Sequence, residues 1–407
     1  MQLKESEIIK VNKHTTSLTS YYRLKMKNIL VYLALILIIA SHSSFAIPSF
    51  ARKYNITCKT CHAPFPKLKA YGEEFAGNGF VLKDQDAPRY FVETGDDKLS
   101  LLRDIPLAVR VDGYATFNSD KSEQSDFKAP YVFKLLSGGS IFKNVSYYVY
   151  YILENGESGK LEDAFLMFNN LFGSELAFSI GQFQVSDPLF KRELRLTLAD
   201  YDIYKVKVGY SNVDLTYDRG IMFNYGFETG TALTLEVVNG NGISKIENGN
   251  FDNDKHKNFA GRISQNVNDH LRIGGFGYLG KEEINDVVND LWMVGPDASI
   301  SFDPFELNVQ YVERRDKDPF FFGPAAIEIK TRGAFAELIY MSNGDDSEWY
   351  AVGLYNWIES NIGTLDKKSA SFHLGYLLAR NIRLVGEYTH NFIDEYGKFG
   401  LGFVSAF

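Results

Sequence analysis

Only two cysteines occur in the 407 residues, and both fall in one pentapeptide, Cys58-Lys59-Thr60-Cys61-His62. Two thiols three residues apart share one helical turn and can reach the two vinyl groups of a single porphyrin. The histidine that follows then faces the iron. The pattern predicts one covalently attached haem c, with Cys58 and Cys61 as thioether residues and His62 as axial ligand to the haem iron. Other uses of the motif fit less well. A redox-active pair wants a βαβ setting, and a zinc site wants about four ligands, yet His62 is the only other Cys or His between residues 47 and 255.

No sixth ligand is local. Residues 47–160 contain no Met, and His62 is their only His. The iron is therefore five-coordinate, or bound by an unusual donor such as the N-terminal amine, or ligated from much farther along the chain. Met and His are the common partners for such a haem. Alternation along candidate strands places Met167, Met222, Met293 and His373 on inward faces, which makes them the candidates. His390 falls on an outward face, and His270 falls in a turn.

An export leader precedes the motif. Lys25 and Lys27 introduce an apolar core over 29–40, and Ser44-Phe45-Ala46 supplies a small-x-small site. This reads as a signal peptide ending at Ala46, too short in its apolar run for a spanning helix. Translation could start at Met1 or at Met26. Residues 47–407 carry 37 basic and 49 acidic side chains, a net −12, so nucleic acid is not an expected partner. Sixty aromatics exclude disorder, and two cysteines exclude a disulfide framework.

The 47–100 segment is too small to wrap a haem by itself. The remainder of the chain, 101–407, has a period of two. Leu107, Val109, Val111, Ala115 and Phe117 share one face of the first run; Arg110, Asp112, Tyr114 and Thr116 share the other. About sixteen such runs succeed one another, which is the pattern of a transmembrane antiparallel β-barrel in the outer membrane. Tight turns such as Asn268-Asp269, Asp303-Pro304 and Arg380-Asn381 alternate with longer connections, including Ser186–Tyr204 and Glu282–Asp290, which are expected to be outer loops. Ser342–Ser347 is long for the short-turn side. Phe399, Leu401, Phe403 and Phe407 share a face of the last run, and the chain ends on that Phe. The fold expected is all-β, with the haem segment as a small helical or irregular plug in the lumen.

The stretch Ile47-Pro48-Ser49-Phe50-Ala51-Arg52-Lys53-Tyr54, the Cys58–His62 motif, Phe65-Pro66-Lys67-Leu68, Tyr71-Gly72, Phe75 and Asn78-Gly79-Phe80 together resemble the fused monohaem cytochrome–porins of bacterial outer membranes. The iron(II)-oxidising outer-membrane cytochromes belong to that family. The similarity is most specific over 47–82 and looser at Gly181-Gln182-Phe183, Arg195–Asp200 and Tyr217-Asp218-Arg219-Gly220. It implies single-electron transfer across the outer membrane, from extracellular Fe(II) to a periplasmic carrier such as a soluble cytochrome. Two other readings stay open: a diffusion porin with a tethered cytochrome, and a conduit to extracellular acceptors. The acidic loops holding Asp120, Glu123, Asp126, Asp252 and Asp254 are expected to be solvated surface, although carboxylates also suit hard cations.

Overall fold

The computed structural model describes residues 49–82, 91–92, 94–103, 105–119, 125–243 and 249–407. The leader, Ile47 and Pro48, the Asp84–Pro88 stretch, Asp120 and Glu123 lie outside the described residues. Among the described residues no helix is long and apolar enough to cross a membrane.

Alternation becomes a closed barrel. Sixteen antiparallel strands, β3 (Leu107–Asn118) to β18 (Tyr396–Ala406), pair in chain order, and β18 closes on β3. Two short strands, β1 (Phe91–Val92) and β2 (Leu101–Leu102), pair with each other ahead of it. Closure leaves no unpaired edge, the condition for crossing a bilayer with strands. Phe399, Leu401 and Phe403 face outward, as do Phe372, Leu374 and Tyr376, while Asp112, Tyr114 and Thr116 are buried inside. The outer face is therefore apolar and the inner face polar.

Seven tight or short turns and both ends of the barrel chain share one rim, called here the short-turn rim. At the other rim one expectation fails. Glu282–Asp290 is no loop: β11 (Leu271–Ile284) and β12 (Val287–Phe302) run on and join through Asn285-Asp286. Both turn residues have positive φ, 52° and 64°, the backbone of a two-residue hairpin that Asn and Asp tolerate.

A second expectation also fails. Ser186–Tyr204 is not an outer loop. The connection from β7 (Leu176–Gln184) to β8 (Tyr217–Gly226) turns into the lumen, burying Val185, Leu189, Phe190, Leu196, Tyr201, Ile203, Tyr204, Val213 and Leu215. These apolar side chains cannot face water at such density, and the barrel interior is the surface available to cover them. The loop is pinned by named bonds. Glu387 Oε2 accepts from the Leu198 N–H at 2.6 Å and Oε1 from the Ala199 N–H at 2.7 Å. Arg314 Nη1 donates to the carbonyls of Val206 and Val213 at 3.1 and 2.7 Å.

Candidate functional site

The N-terminal segment folds as three short helices: α1 (Ser49–Tyr54), α2 (Cys58–Cys61) and α3 (Ala70–Gly77). α2 is a single turn, which places Cys58 and Cys61 on neighbouring positions and hands the chain directly to His62, whose N–H donates to Cys58 O at 2.9 Å. α3 lies hard against it. A Cβ at Gly72 would stand 2.4 Å from Cys61 O, so any larger residue would push the helices apart.

His62 is held by its ring. Nδ1 is 2.9 Å from Pro66 O and 3.3 Å from Lys67 O. A carbonyl can only accept, so Nδ1 carries the proton and Nε2 keeps its lone pair. Metal-binding histidines are oriented in this way by a partner on the other nitrogen. Burial pushes the imidazole below its ordinary pKa, against the carbonyl bonds, which raise it, while the Arg383 charge adds to the lowering. The ring is therefore neutral near pH 7 and ready to donate electrons. Burial raises the thiols of Cys58 and Cys61, and for Cys61 the neighbouring Cys58 raises it further. Both thiols are free. Two thiols on one turn, next to a neutral imidazole with fixed tautomer, form a donor set that fits a c-type haem.

The segment sits in the short-turn rim and is tied to opposite walls. On one side Phe80 stacks on Tyr148 of β5 (Val145–Glu154), with ring centroids 5.2 Å apart. Phe50 stacks on Phe80 at 4.9 Å, and Phe75 meets Phe50 edge-on. Tyr54 donates its hydroxyl to Phe80 O at 2.6 Å. The turn at Gly79 needs its φ of +70°, and a Cβ there would strike Asn169 and Ser146 of the wall at 2.2–2.3 Å. On the other side Lys67 pairs with Glu306 of β13 (Phe305–Asp316) at 2.8 Å, and Lys69 with Asp345 at 2.5 Å; Lys59 pairs with Asp346. Those two acids occupy the 342–348 connection, so its extra length has a use: it carries charge to the lysines around the motif.

Two spaces flank the segment. A narrow cleft beside Cys58 and His62 is closed by Phe65, Gly344, Asp345, Ser347, Leu377 and Arg380. A larger cavity of about 970 Å3 runs inward from the short-turn rim, where Asn268 and His270 line it, bounded by Lys67, Leu68 and Phe80 on one side and by Asp187, Lys191, Arg195 and Tyr201 of the inward loop on the other.

The four sixth-ligand candidates are dispersed. Met167 on β6 (Lys160–Phe168) and Met222 on β8 line the large cavity. Met293 is buried with Ile203, Leu215 and Val312 beneath the inward loop. His373 is 2% exposed and engaged: Nδ1 is 2.9 Å from Glu387 Oε2, and Nε2 is 3.4 Å from the Tyr350 hydroxyl. None of the four lines the cleft beside His62. Met341, which was not among the sequence candidates, ends β14 (Ile329–Met341) at the short-turn rim. It belongs to the buried cluster with Tyr350 and Val352 against which Leu377 packs; Leu377 lines that cleft and Met341 does not. Its inward phase with Ile339 was the available signal. His270 is at the rim, its Nδ1 2.9 Å from Ser301 O.

Among the described residues of the acidic loops, Asp252 and Asp254 are engaged by their own neighbours. Asp252 pairs with Lys257, and Asp254 accepts from the backbone of His256 and Glu283. Among the described residues no group of three His, Cys, Asp or Glu is arranged to hold a bare metal ion.

No protein-family model and no curated protein matches the sequence. Solved structures do match the fold. The chain is similar to an anion-selective porin from Comamonas acidovorans, with 12% identity, TM-score 0.56, and 75% of this chain and 99% of that chain covered. It is similar to the outer membrane channel DcaP of Acinetobacter baumannii, with 14% identity, TM-score 0.54, and 75% and 97% covered. It is also similar to Salmonella typhi OmpF in complex with daunomycin, with 10% identity, TM-score 0.54, and 76% and 98% covered. The fold is that of a sixteen-stranded porin barrel.

Proposed function

We propose that this chain is an exported outer-membrane cytochrome: a porin-type barrel whose N-terminal segment carries one haem c and passes single electrons between an extracellular donor and a periplasmic carrier. The observation that carries the reading is Cys58-Lys59-Thr60-Cys61-His62 on one turn, its imidazole tautomer fixed by Pro66, inside the rim of a closed barrel. Apolar outward faces and short turns on one side favour the outer membrane, with the short-turn rim in the periplasm.

A haem supplies one-electron chemistry when bound. The protein's share is position. A carrier docked outside a barrel would leave an apolar band about 25 Å tall to cross, and a segment set within the rim shortens that path. His62 fixes the iron-facing nitrogen. The aromatic cluster of Phe50, Phe75, Phe80 and Tyr148 excludes water on one flank. Fe(II) is the donor that the family resemblance implies, and a soluble cytochrome is the acceptor.

Haem staining after denaturing electrophoresis tests the cofactor, and the Cys58→Ala, Cys61→Ala double variant should lose the stain. Stopped-flow mixing of the oxidised protein with Fe(II) at the organism's working pH tests the donor. A reduced spectrum is expected. Reduction by another donor and none by Fe(II) would reject the iron assignment. The diffusion-porin reading has one feature in its favour, the cavity of about 970 Å3. Planar-bilayer recording separates the two: the electron conduit predicts a barrel with little ion conductance, the porin an open channel.

A further inference from the structure

Among the described residues Arg383 is a buried cation with no carboxylate paired to it. It stands on β17 (Ile382–Asn391), next to the short-turn rim, and is 1% exposed. Nη1 donates to the Tyr350 hydroxyl, the guanidinium lies 5.8 Å from the Tyr350 ring centroid, and Nε has no partner. The other two buried arginines among the described residues are paired, Arg262 with Asp297 and Arg314 with Asp316, and the partly buried Arg110 is paired with Asp112. Among the described residues no carboxylate pairs with Arg383. Glu387, two positions along the same inner face, already accepts from Leu198 and Ala199 and is bonded to His373. A guanidinium taken out of water with no counter-charge is costly, so the arrangement is incomplete without an anion.

The position indicates which anion. The cross-strand neighbour of Arg383 is Leu377, and Leu377 lines the cleft with Cys58 and His62. The charge of Arg383 also acts on the His62 ring. A porphyrin bound through thioethers at one edge presents two carboxylates at the opposite edge. A planar guanidinium is the side chain best shaped to take a carboxylate through two parallel bonds.

We infer that Arg383 holds a carboxylate, a propionate of the haem proposed at Cys58, Cys61 and His62. This rests on the haem reading and goes beyond it by assigning a positioning residue on the barrel wall. Nε and Nη2 supply the fork, and Tyr350 keeps Nη1 turned away. A cation at the haem edge disfavours ferric iron, so Arg383 raises the reduction potential.

The test is spectropotentiometric titration of the purified holoprotein and its Arg383→Gln and Arg383→Lys variants, with haem staining and heat-modifiable migration as controls for attachment and folding. Arg383→Gln should keep the stain and the folded migration while its midpoint potential moves downward. Arg383→Lys should recover part of the shift. An unchanged potential in stained, folded Arg383→Gln overturns the inference. If Arg383→Gln does not fold, Arg383→Lys decides through the propionate carboxylate bands of the redox infrared difference spectrum, which must shift; unshifted bands overturn it. A wild-type potential that moves with chloride concentration, with no such dependence in Arg383→Gln, means that a diffusible anion occupies the site, and overturns the propionate assignment. Wild-type protein without a haem stain removes the haem reading itself, and is distinguished by the stain alone.

Discussion

Lys69 Nζ and Asp345 Oδ2 stand 2.5 Å apart, joining the helix that follows the CxxCH motif to the longest connection of the short-turn rim except the 169–175 turn, which matches it. With Lys59 and Asp346 beside them, and Lys67 paired with Glu306, this forms the charged half of the segment's attachment. Asp345 and Asp346 are about half exposed, so each of their pairs contributes under about 1 kcal/mol. Asp345→Asn with Asp346→Asn should leave the barrel heat-modifiable. Proteolysis of residues 49–82 should quicken by roughly five-fold if the two pairs together contribute about 1 kcal/mol. High salt should produce the same effect in wild type and little further change in the variant.

Gly79 tests the apolar half. Its φ of +70° and the approach of Asn169 and Ser146 leave no room for a side chain. Gly79→Val should cost about 1–3 kcal/mol through backbone strain alone, and more through the clash. The measurable outcome is loss of the Phe80–Tyr148 contact, seen as faster proteolysis of the segment at unchanged barrel stability.

Acid should loosen the inward loop. Burial alone would raise the Asp200 carboxyl, but the Arg195 and Arg192 guanidiniums outweigh it and hold it well below the usual carboxylate range. Arg192 Nη2 is 2.5 Å from Asp200 Oδ2. A depressed carboxylate stabilises the docked loop fully above its undocked pKa, about 3.9, and the contribution fades as pH falls below that value. Ion conductance should therefore rise on acidification below about pH 4, and Asp200→Asn should conduct more already at neutral pH with a flatter acid response. Identical pH profiles for the two proteins would contradict this.

On the haem reading, axial ligation can be read from spectra. Met293 lies under the inward loop and Met222 and Met167 line the large cavity, whereas Met341 belongs to the cluster against which Leu377 of the cleft packs. Single Ala substitutions at 167, 222 and 293 should leave the low-spin haem spectrum as in wild type. Met341→Ala should alter it and lower the potential, since Met ligation raises it. His373→Ala should act mainly through the Tyr350–Arg383 contact that it borders.

Strand number and facing were legible because a sheet with lipid on one side and polar lumen on the other enforces period two, and Leu107–Phe117 states it openly. The motif was legible because both cysteines and the histidine fall within five consecutive residues, a spacing that can be read without the fold. The inward loop was not, since a Pro- and charge-containing stretch from Ser186 to Tyr204 looks like surface until its Leu189, Phe190, Leu196 and Tyr201 are counted together. Asn285-Asp286 was missed because the polar runs Lys281-Glu282-Glu283 and Asn289-Asp290 enclose only short apolar flanks, Ile284 and Val287-Val288, so the whole stretch looks like a polar loop. Arg383 could not be singled out: a lone arginine beside a turn is ordinary, and only the missing counter-charge in three dimensions sets it apart.

The seam between β3 and β18 joins Asn118 to Lys398, so the ring can shut only once β18 is available to pair with β3. By then α2 is enclosed within the rim. On the haem reading this imposes an order in time: thioether formation has to come first, on an open chain, and wall formation second. Apoprotein already folded in detergent should then refuse the cofactor under conditions where the unfolded polypeptide accepts it. Maturation of this protein would thus be governed by a race between a ligating enzyme and barrel assembly.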